Sequence, residues 1–150
     1  MSVATTRAKL KTELEAVSGI GTVHDYVRWS TNWSDYVAKF KSGGKINAAW
    51  IEYRTDVGDR ETIANATVRN RRFKIFMIMS LDDSAATQKT FDELIDRVLT
   101  AMSPGDEHFE LTVQKAEPAE LVDNSMLMHG ETLVHKAEID VVVQDIIDDE

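Results

Sequence analysis

Phe91, Leu94, Ile95, Val98, Leu99 and Met102 recur at intervals of three and four, and this stripe constrains the fold more than any other feature of the chain. The spacing puts all six on one side of a helix, predicted over 84–102, and a helix with one complete apolar face must lie against something. Ser103-Pro104-Gly105 stops it, because proline cannot continue helical hydrogen bonding. Elsewhere the apolar period changes to two. Ala49, Ile51 and Tyr53 alternate with Trp50 and Glu52 over 46–54, and Phe73, Ile75, Met77 and Met79 alternate with Arg72 and Lys74 in an extended 62–80. Phe76 and Ile78 make the far end of that second strand apolar on both faces, which places it at a sheet centre. Phe109, Leu111 and Val113 predict a further strand, and Ala137, Ile139, Val141 and Val143 against Lys136, Glu138 and Asp140 predict a closing one over about 132–144. The expected class is α+β: a four- to five-stranded antiparallel or mixed sheet with helices packed on one face, in a single domain of residues 1–150.

The remaining segments read as follows. Leu10, Leu14 and Val17 predict a first helix over 5–17, ended by the Ser18-Gly19-Ile20-Gly21 turn. Asp56-Val57-Gly58-Asp59 reads as a hairpin tip, and 116–130, with Pro118 and several acids, as a loop that a partner could order. Residues 26–40 hold five of the eleven aromatics. Tyr26, Trp29, Trp33, Tyr36 and Phe40 follow at steps of three or four, the spacing of one helical face, although strand-like 22–27 overlaps the first of them. Two readings stand. The rings cover the domain's own sheet, as aromatics at helical spacing commonly do. Alternatively, Trp29, Trp33, Tyr36 and Phe40 meet a partner, since tryptophan and tyrosine are enriched at interfaces.

A chain of 150 residues can bury a full core without staples, and 43% hydrophobic with 29% charged residues is ordinary for a globular protein. The lack of cysteine excludes a disulfide framework, a thiolate metal site and a cysteine nucleophile together. No run of about 20 apolar residues could span a bilayer, and the N-terminus lacks a signal-peptide core, so the expected setting is the cytosol or a particle assembled there. No GxSxG elbow or adjacent base marks a nucleophile, and His24, His108, His129 and His135 have no metal-site spacing. Asp82-Asp83 fits capping of the long helix, and Asp145, Asp148, Asp149 and Glu150 a solvated tail. The expectation is therefore a non-enzyme with no catalytic residues, cofactor or metal. His24 is singled out for a structural role, its ring orienting the aromatic connector through a backbone hydrogen bond.

Charge divides the chain. Residues 1–100 carry 15 basic and 13 acidic side chains, net +2, whereas residues 101–150 carry 2 and 13, net −11. Acidity of this kind repels phosphate and argues against tight duplex binding. The only dense basic run is Arg69, Arg71, Arg72 and Lys74, which reads either as a solvated strand face or as an interface for acids of a neighbour.

The order GIG, VHDYVRW, a Trp/Phe-rich stretch and FKSGGKINAAWIEYR, followed by a hairpin, the helix TFDELIDRVLTAM and a long closing strand, resembles phage proteins of the tail-terminator and tail-completion group. That resemblance covers nearly the whole chain and rests on packing and turn patterns. It implies a virion structural protein that forms a ring, commonly hexameric, at the head-proximal end of the tail, ending tube polymerisation and joining tail to neck. The implied partners are further copies of itself, the tail tube protein and neck or connector proteins, with DNA only passing through the channel and no membrane. The implied location is the virion, with assembly in the host cytoplasm. Arg69, Arg71 and Arg72 would then face acids of 101–150 in the next subunit, the tube or neck surface, or passing DNA. A head-completion or connector protein of the neck shares much of this plan. The alternative from another class is a small ligand-binding or hydrolytic domain, whose mark would be an enclosed pocket with convergent polar groups.

Overall fold

The computed structural model describes residues 2–28, 33–60, 66–104, 115, 117–129 and 132–148. The apolar stripe forms helix α3 (Thr87–Ala101), which buries Phe91, Leu94, Ile95 and Val98. Helix α1 (Val3–Glu15) starts where the Ser2 hydroxyl accepts from the Thr5 amide, and it buries Leu10 and Leu14. Between them lie β1 (Thr22–His24), α2 (Trp33–Ala38), β2 (Lys41–Ser42), β3 (Lys45–Arg60) and β4 (Ala66–Ser80); β5 (Glu120–His129) and β6 (Thr132–Asp148) follow α3. The six strands run in the order β1-β3-β4-β6-β5, with β2 also on β3, and only the β1–β3 pairing is parallel. The α+β class agrees with the sequence, but the strand number exceeds the expected four or five.

The sheet has two unequal faces. On the first, Ala49, Ile51, Phe73, Ile75, Met77, Ala137, Ile139 and Val141 form the main core with Leu10, Leu14 and the stripe of α3. On the second, Phe40, Ile46, Ala48, Ile78 and Val134 form a smaller core against which Tyr36, Val37 and Trp50 pack. The expectation of helices on one face is thus corrected: α1 and α3 cover the first face and α2 part of the second. Ile46, Ala48 and Ile78 point away from the main core, and their apolar surface requires a cover of its own.

Other boundaries move for identifiable reasons. β3 continues through 56–59, where a tip was expected, because Thr55 to Arg60 keep pairing with Thr67 to Arg72 of β4. A bulge between Tyr53 and Thr55 re-aims the strand, so that Asp56 comes opposite Arg71. Asp82 does not cap α3, which begins at Thr87. Instead its carboxylate accepts from the Ser84 hydroxyl at 2.8 Å and the Ala85 amide at 3.3 Å, closing the preceding turn. These hydrogen bonds, the Ser84 one foremost, hold its pKa below the usual carboxylate value. Gly21 marks a close approach, since a Cβ there would lie 1.9 Å from the Asn47 carbonyl oxygen on β3. The segment expected as a loop at 116–130 contains β5, and the strand expected at 109–113 lies outside the described residues.

Candidate subunit interface

The aromatic and arginine candidates do not converge on one site. Trp29 lies outside the described residues, and Trp33 begins α2 with its side chain outside the description. Phe40 is 2% exposed, so its ring belongs to the subunit's own second core. It sits edge-on to Tyr36 at 5.0 Å, Trp50 at 5.5 Å and His24 at 5.9 Å between centroids. Tyr36, half-buried, also stacks on His129 at 5.3 Å. For Tyr36 and Phe40 the geometry thus follows the intramolecular reading. The role expected of His24 is seen directly: its Nε2 is 2.6 Å from the Lys39 carbonyl oxygen, tying β1 to the chain that leaves α2.

The arginines lie at the far end of β4, where the bulge in β3 turns Asp56 toward them. Asp56 accepts from the Tyr53 hydroxyl at 2.7 Å and from Arg69 at 3.2 Å, and Arg71, 5% exposed, approaches it at 3.4 Å. Burial pushes the Asp56 pKa upward, but the hydrogen bonds from Tyr53 and Arg69 and the two guanidinium charges outweigh it and leave the carboxyl below its ordinary value. The same bond to Asp56, aided by burial, raises the Tyr53 pKa. Arg72 is 3.9 Å from Glu117. Each of the three arginines thus has an acid of its own chain within 4 Å.

Acids of the C-terminal third also meet bases within the sheet. On its second face Lys74 lies 3.7 Å from both Glu138 and Asp140, and Lys136 lies 3.1 Å from Glu138 and 3.7 Å from Asp123. His24 and His129 flank Phe40, the first bonded to the Lys39 carbonyl and the second stacked on Tyr36, while His135 lies 2.9 Å from the Thr87 hydroxyl. Among the described residues no group of three or more His, Asp or Glu side chains is placed to hold a metal ion. No described helix is long and apolar enough to cross a membrane.

The surface that sequence reading missed is β5. It is the last strand of the sheet, and nothing among the described residues pairs with its outer edge. Leu121, Val122, Met126, Leu127 and Met128 on it, with Leu133 at the start of β6, are 39 to 63% exposed. Exposed edges template association, and proteins blunt them with charges and bulges. The first half of β5 has both, in Glu120, Asp123 and a bulge between Leu121 and Asp123. The second half, Ser125-Met126-Leu127-Met128-His129, has neither. Beside it Met126 and Leu133 line a hollow of about 340 Å³ with Leu81, Ala86 and Gln88 at the start of α3. The available signal was the uncharged Met126-Leu127-Met128 run before Gly130 and a strong strand, which is a hairpin pattern.

No protein-family model matches the chain, and no curated protein matches it. Among solved structures it is similar to a chain described as "Virion of native gene transfer agent (GTA) particle", at 13% identity and a TM-score of 0.48, over 96% of this chain and 98% of that one. A likeness of this degree carries no argument about function.

Proposed function

We propose that the protein is a structural, non-catalytic component of a phage-type virion, a ring at the head-proximal end of the tail that stops tube polymerisation and joins tail to neck. The observation that carries this reading is the second half of β5, a sheet edge with no partner strand among the described residues and with large apolar side chains exposed on both faces. Surface of this kind on a folded domain marks association. The tail-terminator-like order of motifs in the sequence supplies the particular assembly. The mechanism is geometric: repeated head-to-tail contacts close a ring, and the ring face turned from the tube differs from the tube protein, so growth stops there. Electron microscopy and sedimentation of the purified protein, alone and with its tail tubes, test this. Rings seated on tube ends are the expected result, and a species that stays monomeric and ignores the tubes would remove the reading.

A further inference from the structure

We propose that the exposed β5 edge of one subunit is covered by the β1-side edge of a second copy, with Tyr26 and Val27 of that copy seated against Met126, Met128 and Leu133 beside the hollow at the start of α3. This contact rests on the ring reading above and names the two surfaces that would close the ring.

Three observations carry it. First, every large apolar side chain that is exposed among the described residues lies at one margin of the sheet or the other. Tyr26 and Val27, 51 and 55% exposed, follow β1, and the other six lie on β5 or at the start of β6. β3, β4 and β6 lie between the two strands in the sheet order. Distinct patches on opposite margins suit a heterologous contact that repeats around a ring, whereas a two-fold dimer needs one self-complementary patch.

Second, the margins carry opposite charge. Residues 117–129 contain Glu117, Glu120 and Asp123 and no lysine or arginine; Arg72 and Lys136 of the same chain approach Glu117 and Asp123, while Asp83 lies in the hollow beside β5. The β1 side carries Arg28, Lys39 and Lys41 against Asp25 and Asp35. Lys41 is held beside β1, where the Thr22 hydroxyl donates to its carbonyl at 2.8 Å. The Arg28 guanidinium lies 5.1 Å from the Tyr26 ring centroid, so the aromatic comes with a cation that can meet Asp83, which also lines the hollow.

Third, the unguarded half of β5 is the half beside the hollow, and a tyrosine brings a large rigid apolar surface with a polar tip suited to such a place.

Because the chain has no cysteine, introduced thiols report contacts cleanly. Val27→Cys and Met128→Cys variants, each first shown to melt like the wild type, are treated with a short bismaleimide separately and as a mixture. The expected result is a dimer joining the two variants in the mixture, little product from either alone, and a ladder ending at the ring size for a chain carrying both substitutions. Met128→Cys linking efficiently to itself would replace this contact by β5 against β5. Wild-type rings whose doubly substituted form gives no ladder would overturn the contact and leave the ring standing. A wild-type chain that is monomeric at every concentration, alone and with tubes, would remove both.

Discussion

In β4, Phe73, Ile75, Met77 and Ile78 are at most 1% exposed, whereas in β5 Leu121, Val122, Met126, Leu127 and Met128 are at least 39% exposed. β4 has a strand on each side, the stripe of α3 and the face of α1 beneath it, and α2 above one end. Among the described residues β5 has one neighbouring strand, and only its last residue, His129, is buried. Full burial of a large apolar side chain stabilises by about 1.5 to 3 kcal/mol. That gain is already realised within the subunit at β4 and is still open at β5. Two strands of one sheet can therefore serve different equilibria, one folding and one association.

The comparison breaks most readily at the core. Leu94→Ala should lower stability by about 2 to 5 kcal/mol through lost burial and a cavity, measured by denaturant titration. An unchanged midpoint would mean that α3 is not the element holding the sheet. Gly21→Ala follows, at roughly 1 to 3 kcal/mol, since the added methyl cannot share space with the Asn47 carbonyl and the β1 edge must shift. If the melting temperature holds, the close packing of β1 on β3 is wrong.

Titration sharpens the contrast between the ends of the sheet. Tyr53 and Asp56 share one hydrogen bond, with the carboxyl pKa lowered from 3.8 and the phenol pKa raised from 10.0. The Asp56 contribution is complete above 3.8 and fades as pH falls through the lower folded value; the Tyr53 contribution is complete below 10.0 and fades as pH rises through the higher one. Asp56→Asn should flatten both arms of the stability profile, and a profile identical to wild type would show the cluster to be inert. At the other end, burial lowers the His129 pKa, so the native state favours the neutral ring. Stability there is complete above 6.5 and declines as pH falls below it. Amide exchange near the end of β5 should quicken first, and His129→Phe should remove that acid response; acceleration that survives the substitution would assign it to another group.

The smallest expected effect on folding is the most telling for β5. Met126→Ser should change stability by no more than about 0.5 kcal/mol, as for other exposed positions, while weakening self-association in sedimentation. A loss of stability like that of Leu94→Ala would make β5 part of the core and end the comparison.

Much of the fold was legible where one face of an element is buried and the other is not. That asymmetry wrote the three- and four-residue steps of α3 and the alternation of β4 and β6 into the sequence, and His24 stood out through the VHDY that carries the family resemblance. The candidate interface was not legible in this way. β5 is exposed on both faces as far as Met128 and so has no period, which reads as a loop; its pairing with β6 makes it a strand. Arg71 read as a surface charge because its partner Asp56 lies on another strand and is placed by a bulge there, and Phe40 left two readings open because nothing local says which ring meets which strand. Hydrophobic period is a local record of burial, so the sequence by itself determined the helix, the central strands and their buried faces. Strand partners, the side of the sheet on which α2 lies and the bare edge of β5 depend on residues distant in the chain, and only the tertiary structure decided them.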